Sequence, residues 1–298
     1  MNTSPAVHRL NTSPAVRRGY LLIVLAASLW GLIGVYSRYI GKEGVRPIEI
    51  AFWRAALSGV LFGLRSRRER ARPVLRADLP RVFAFAALGV ALFYGSFNLA
   101  IDAGGLSLAT VLLYSAPAFV ALLAWPMLGE RPTLRTLGMV TVVLVGVALV
   151  AAGSGTGVVV SPGSVAWGLS AGFGYSSFYW LAKPLITTYS TATIFAYAMP
   201  IGALLLLPFV DFRDKSATAW AWLAALVLFS TFGAYLAYGL GIRVVDGSRA
   251  VLVATVEPVV AVVLAAVLFG ERFGLRGVLG SACILAAAFF AARPASAA

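Results

Sequence analysis

ATVEPVVAVVLAAVLFGERFGLR, residues 254–276, decides the fold, because the chain carries this pattern twice. Residues 113–135 read LYSAPAFVALLAWPMLGERPTLR. At an offset of 141 and without a gap, eight of the 23 positions match. Pro117 falls on Pro258, Gly129-Glu130-Arg131 on Gly270-Glu271-Arg272, and Leu134-Arg135 on Leu275-Arg276. Each copy is an apolar run with an internal proline. Each ends in an acidic–basic turn and leads into a second apolar run. A lone Gly-Glu-Arg carries little information. A proline twelve residues ahead of it in both copies marks an internal duplication.

Composition fixes the solvent. Sixty per cent of the 298 residues are apolar and 12% are charged, and the mean hydropathy is +0.90. Soluble domains hold about 25% charged residues. So much apolar surface with so few charges belongs in a bilayer. The net charge of +13 does not point to nucleic acid, because the arginines cluster in short loops between apolar runs, where they orient a membrane protein. The single cysteine, Cys283, lies in an apolar run. It allows no intrachain disulfide and no thiolate metal cluster. The single histidine, His8, lies in the N-terminal tail, which rules out a His-based triad or metal site inside the membrane. We therefore expect no metal and no cofactor.

Residues 1–19 read as a polar cytoplasmic tail, in which NTSPAVHR (2–9) recurs as NTSPAVRR (11–18). Pro5 and Pro14 argue against a helix there. Ten apolar runs follow, at about 20–40, 47–64, 80–100, 106–128, 134–152, 163–182, 190–209, 217–241, 248–269 and 275–292. Each is close to the ~20 residues that cross a bilayer. The runs are continuous rather than alternating, so they predict helices and not a β-barrel.

The loops orient the bundle. With the N-terminus cytoplasmic, 16 of the 24 Lys and Arg fall on the cytoplasmic side, including seven arginines from Arg65 to Arg81. Seven fall on the opposite side, and Arg54 lies inside a span. This split predicts both termini inside. Each copy of the duplicated unit holds five spans, an odd number, so the second copy enters from the opposite face. The expectation is an all-α polytopic membrane protein with ten transmembrane helices, arranged as two inverted five-helix repeats around a central cavity. The first repeat covers 20–155, the second 156–293, and 294–298 form a cytoplasmic C-terminal tail. Trp30-Gly31 falls on Phe173-Gly174 at an offset of 143, which extends the likeness to the early spans. Such repeats place a substrate site near the midplane and support alternating access.

Within the spans, Glu257 is the most informative residue. It is the one acidic residue well inside an apolar run, about 12–15 Å from the cytoplasmic end at 1.5 Å per residue. An intramembrane carboxylate is costly unless paired, hydrated or protonated, so its default reading is functional; the alternative is a hydrogen bond that ties two helices together. Pro258 frees the carbonyl of Ala254, and Pro117 frees that of Leu113. Their recurrence predicts paired hinges, against plain kinks in packed helices. Tyr175 and Tyr179, Tyr94 and Asn98, and Tyr235 and Tyr238 lie three or four residues apart, and each pair shares a helix face. With Trp30, Tyr36 and Tyr114 they predict an aromatic cavity lining, against simple packing. Three roles are open to Arg54: pairing with an acid, neutralising a substrate carboxylate, or reaching the outer surface.

No phosphate-binding lysine loop, no Ser-His pair and no hydrolase-type carboxylate pair is present. An intramembrane enzyme would need several catalytic polar groups at one depth, and a receptor or scaffold would not need matched prolines. Trp30-Gly31, FWRAA at 52–56, the Pro117 helix with its Gly-Glu-Arg, and VEPVVAVVLAAVLFGER at 256–272 resemble the EamA family of the drug/metabolite transporter superfamily. The likeness spans residues 20–293 and is nearest to aromatic amino-acid exporters of the YddG type. It implies ten helices in two inverted halves, a central cavity and export from the cytoplasm of a bacterium across its inner membrane. The first copy has Ala116 where the second has Glu257, so any carboxylate function is single. The expected substrate is an aromatic or large neutral amino acid, with protons as a further partner and the chain acting as a monomer in the bilayer. Export of cationic drugs or other metabolites is the alternative.

Overall fold

The computed structural model describes residues 14–116, 118–120, 122–123, 134–152, 155–245, 250, 253–254 and 256–292. Among these, five helices are long and apolar enough to cross a membrane: α1 (Pro14–Lys42), α2 (Pro47–Arg68), α3 (Arg76–Gly104), α7 (Thr191–Phe209) and α8 (Ala217–Gly241). The other helices are α4 (Leu106–Leu113), α5 (Leu134–Ala151), α6 (Pro162–Ser177, running on as a helix to Ile186), α9 (Val256–Phe269) and α10 (Leu275–Ala292). The chain is a polytopic helical membrane protein. Two short strands, β1 (Gly155–Thr156) and β2 (Arg272–Phe273), pair antiparallel, with Gly155 opposite Phe273.

α1 begins at Pro14, inside the tail that the sequence assigned to irregular structure. Proline is well placed at a helix start, since the first-turn N–H groups have no intrahelical partner. Pro14 therefore opens the helix rather than forbidding it.

Several helices depart from regular α geometry at internal points. α1 loosens at Leu32, whose N–H reaches back only to the Leu29 carbonyl. α3 and α8 each contain a stretch of π-helix, at Ala86–Leu92 and Leu228–Gly233, and α6 has one at Phe178–Ala182. The stretches in α3 and α8 begin 142 residues apart, close to the spacing of the duplication. α4 leaves its helix at Tyr114–Ser115, just before the position of Pro117. A proline cannot donate to the carbonyl four residues back, so this loosening fits the sequence around it. Pro117 itself lies outside the described residues.

α2 packs along α7, α5 along α10, α3 along α6, α1 along α8, and α4 against both α6 and α9. The core is a layer of Phe, Ile, Leu and small residues shared by these pairs. At one end of the bundle the α1–α2 and α7–α8 loops, the start of α4 and the α9–α10 turn meet. α9 ends at Gly270, whose φ of +66° suits the left-handed cap. The Gly270 N–H bonds the Ala266 carbonyl and the Glu271 N–H bonds the Ala265 carbonyl. This cap swings Glu271 inward. Its buried carboxylate accepts from the Leu106 N–H at 3.0 Å, the Ser107 N–H at 2.7 Å and Arg38 Nη1 at 3.0 Å. The second Gly-Glu-Arg is thus a clasp that ties the end of α9 to the N-terminus of α4, where the helix dipole favours an anion. Its first copy, Gly129-Glu130-Arg131, lies outside the described residues. The same end carries Glu49, fully buried and paired with Lys215 beside Trp53 and Trp220.

Candidate functional site

α1, α2, α3, α4, α6, α8 and α9 bring most of the candidate side chains to one aromatic cluster. Gly31 on α1 admits α9 so closely that a Cβ there would meet Val260 Cγ1 at 2.8 Å and the Glu257 carbonyl at 3.1 Å. Trp30 is therefore held beside the turn of α9 that bears Glu257. Gly172 on α6 does the same for α4, where a Cβ would meet the carbonyls of Leu112 and Leu113 at 3.1 and 3.2 Å. Tyr114, just beyond, is hydrogen-bonded to the Glu257 side chain. The glycines supply approach and the neighbouring residues supply chemistry.

Tyr235 on α8 is the hub. Its ring lies 4.5 Å from Phe195, 5.4 Å from Trp30 and 6.2 Å from Phe178, and parallel to the last of these. Trp30 also meets Tyr238 at 5.2 Å, and its indole N–H is buried without a hydrogen-bond partner. Tyr175 packs between Phe93 at 5.4 Å and Phe178 at 5.7 Å. It lies within electrostatic reach of Glu257, Tyr179 and Tyr238. Tyr179 is 40% exposed, at the edge of the group.

Arg54 forms the other pole. It is 1% exposed, which rules out the expectation that it might reach the surface. Its guanidinium lies 3.9 Å from the centre of the Tyr94 ring, and its Nε donates to Thr231 Oγ1 at 2.9 Å. The π-helical stretch of α8 aims Thr231 this way, and also turns Ser230 to donate to the Leu29 carbonyl. Arg54 meets no carboxylate among the described residues, and its Nη1 has no partner. It attracts Glu257 across the cluster. A buried cation over an aromatic face gains about 2 kcal/mol or more, but that leaves an N–H free to bind something else. The Tyr94 hydroxyl donates to Met199 Sδ at 3.7 Å and lies within electrostatic reach of Tyr235, so the arginine pole adjoins the aromatic hub.

Two candidates behave differently. Asn98 is buried and donates to the Tyr94 carbonyl at 2.9 Å, one turn back on its own helix, leaving its Oδ1 unpaired. Tyr36 lies apart from the hub, 6.0 Å from Trp222, in a group where Tyr39 stacks on Trp222 at 4.9 Å. Pro258 is buried in the first turns of α9. Sequence reading missed Thr231, Ser230, Glu49 and the partners of Glu271. Short hydroxyls and edge carboxylates carry no periodic signal that would single them out.

A groove of about 560 Å³ lies elsewhere, between α2 and α7. None of the candidate site residues lines it. The aromatic cluster itself presents a carboxylate at one pole and a guanidinium with a spare N–H at the other, with flat rings between. The two charges match those of a zwitterion, and the rings between them match an apolar or flat side chain.

The EamA-like transporter family matches this chain twice, over residues 17–152 and 163–293. The chain is 27% identical over 286 residues to "Uncharacterized inner membrane transporter YicL" of Salmonella typhimurium, covering 91% of this chain and 94% of that protein. It is 27% identical over 270 residues to "Probable terminal-alkyne amino-acid exporter" of Streptantibioticus cattleyicolor, covering 88% of each. A solved crystal structure superposes with a TM-score of 0.60 at 20% identity, over 91% of this chain and 94% of the other, which supports the fold alone. The two matches together cover most of the chain, and the relatives are named as transporters rather than enzymes. The chain belongs to the EamA-like transporter family.

Proposed function

We propose that this protein exports amino acids with aromatic or large neutral side chains across the inner membrane, by alternating access of two inverted five-helix repeats. The observation that carries the substrate class is the pairing of Glu257, hydrogen-bonded to Tyr114, with Arg54, which has an unpartnered Nη1, across one aromatic cluster. The carboxylate takes the substrate ammonium, and the guanidinium takes the substrate carboxylate by a charge-assisted hydrogen bond. Trp30, Tyr175, Tyr235 and Tyr238 face the side chain. The relative named "Probable terminal-alkyne amino-acid exporter" supports amino-acid export in general.

The helix packing supports the repeat. Exchanging α1–α5 with α6–α10 maps the α2–α7, α5–α10 and α4–α9 pairs onto themselves. It maps α3–α6 onto α8–α1. With the arginine-rich loop cytoplasmic, the Glu271 clasp lies on the outer side, where it closes one access route. Opening outward then requires that clasp to release.

Proteoliposomes loaded with unlabelled tryptophan and supplied with labelled tryptophan test the assignment. Exchange above protein-free vesicles, competed by phenylalanine and leucine, is the expected result. Movement of a cationic dye with no amino-acid exchange would replace this reading with multidrug export.

A further inference from the structure

The groove between α2 and α7 plays no part in the aromatic cluster. Its α2 wall is a stripe at helical spacing: Phe52, Ala56, Gly59, Val60, Gly63, Leu64 and finally Arg67. From Phe52 to Arg67 the stripe is about 22 Å long at 1.5 Å per residue. Pro200, Ala203, Leu204 and Leu207 of α7 form the other wall. The glycines shape it in two ways. A Cβ on Gly59 would strike the Pro200 ring at 2.8 Å, so this glycine sets the depth of the seam. A Cβ on Gly63 would meet nothing within 4 Å, so this glycine opens onto free space. Val60 and Leu204 on the rims are 60% and 65% exposed. In a membrane-spanning chain such a surface faces hydrocarbon.

The charge at one end of the groove selects the occupant. Arg67 is exposed and makes no ion pair among the described residues. It belongs to a run of seven arginines between 65 and 81 that holds only two acids, Glu69 and Asp78. Glu69 is engaged by Arg65 at 2.7 Å, and Asp78 accepts from the Tyr189 hydroxyl at 2.6 Å. Among the described residues the remaining arginines of this run make no ion pair. Clusters of four to eight basic residues at the end of a membrane helix attract anionic headgroups. A second copy of this chain is a poor occupant, since docking on this face would bring two such clusters together.

We propose that an anionic phospholipid occupies this groove, with one acyl chain along the Gly59–Gly63 stripe and its phosphate at Arg67. The inference rests on the helices spanning the membrane, and not on the identity of the transported solute. The lipid lies across α2 and α7, which also meet through the Ser66–Thr193 hydroxyl contact of 3.3 Å at the same end. It thereby braces two helices from opposite halves of the chain.

The test is native mass spectrometry of the purified protein in an equimolar mixture of phosphatidylglycerol and phosphatidylcholine with matched acyl chains. The parent retains phosphatidylglycerol preferentially. Arg67→Gln lowers that preference by about fivefold, the scale set by one basic residue at a membrane surface. Gly63→Leu fills the open space and lowers retention of both lipids. Both positions are clear of the core, so folding is expected to survive, and a parental melting temperature confirms it. Equal retention of the two lipids by the parent overturns the proposal. So does unchanged preference in Arg67→Gln with loss in Arg70→Gln and Arg72→Gln, which would indicate surface attraction without the groove. Intermolecular crosslinking through a cysteine at Val60 in the bilayer would give the groove to a second copy instead.

Discussion

Removing the Glu271 carboxylate gives a magnitude that the structure fixes. Its side chain is fully buried, whereas Arg38 is 31% exposed. Glu271→Ala strips the acceptor from two backbone N–H groups at the start of α4. Each buried donor left unpaired costs about 1–3 kcal/mol. With the partly buried Arg38 also losing its partner, the total is about 3–5 kcal/mol, the usual cost of breaking a buried pair from one side. At about 2–4 °C per kcal/mol for a chain of this order, the apparent melting temperature should fall by about 6–20 °C. Arg38→Gln removes one of the three contacts and leaves both N–H bonds in place. Its arginine already reaches solvent, so the cost should be about 1 kcal/mol. The double variant should melt close to Glu271→Ala, because the two groups share one interaction. Thermal melts in detergent, followed by tryptophan fluorescence and by size-exclusion recovery, measure all three. If Glu271→Ala melts within about 2 °C of the parent, or if Arg38→Gln costs as much as Glu271→Ala, the clasp is not the support described here.

Three further outcomes follow from the site and the topology. Thr231→Val keeps the shape of the side chain but leaves the Arg54 Nε without its partner, so stability should fall by about 1.5–3 kcal/mol while Thr231→Ser stays near parental in the same melts. Gly31→Val places a side chain where Val260 and the Glu257 carbonyl now lie; membrane insertion should persist on immunoblots while transport drops by about tenfold or more, as small misplacements at a reacting or binding centre do. Cysteines at Arg72 and Asp214, both exposed, in a Cys283→Ala background should react with an impermeant maleimide from opposite sides of the membrane. Labelling of both from outside intact cells would refute the proposed inverted arrangement.

The sequence revealed most where a regular period or an exact repeat carried the information. Apolar runs of membrane length and the arginine-rich loop identified a membrane bundle, because bilayer thickness and charge placement act on whole segments. Tyr235, Tyr238 and Trp30 stood out because aromatic groups at helical spacing are conspicuous inside apolar runs, and the structure packs their rings together; Glu257 stood out because a carboxylate there is costly. What the sequence hid depends on departures from regular geometry. The π-helical stretch of α8 rotates Ser230 and Thr231 toward α1 and α2, and no period predicts it. The repeated Gly-Glu-Arg read as a turn, but its carboxylate is aimed at the N-terminus of α4, a partner 164 residues away in the chain from Ser107. Tyr36 lies on α1 with Trp30, yet it stands six residues on, outside the three- or four-residue spacing that keeps side chains on one face, and it packs against Trp222 instead. Pro14 misled for a local reason, since a residue that breaks a helix interior also starts one well.

We propose that Glu257 engages the transported amino acid. Its most direct test is labelled tryptophan exchange in proteoliposomes, comparing the parent with Glu257→Gln at matched protein incorporation. Gln keeps the size and a hydrogen bond to Tyr114 but removes the charge that attracts an ammonium group. Glu257→Gln should insert and melt near the parent yet lose most exchange at every pH tested. Exchange at the parental rate with an unchanged pH profile would contradict it, leaving Glu257 as a structural tie between α4 and α9.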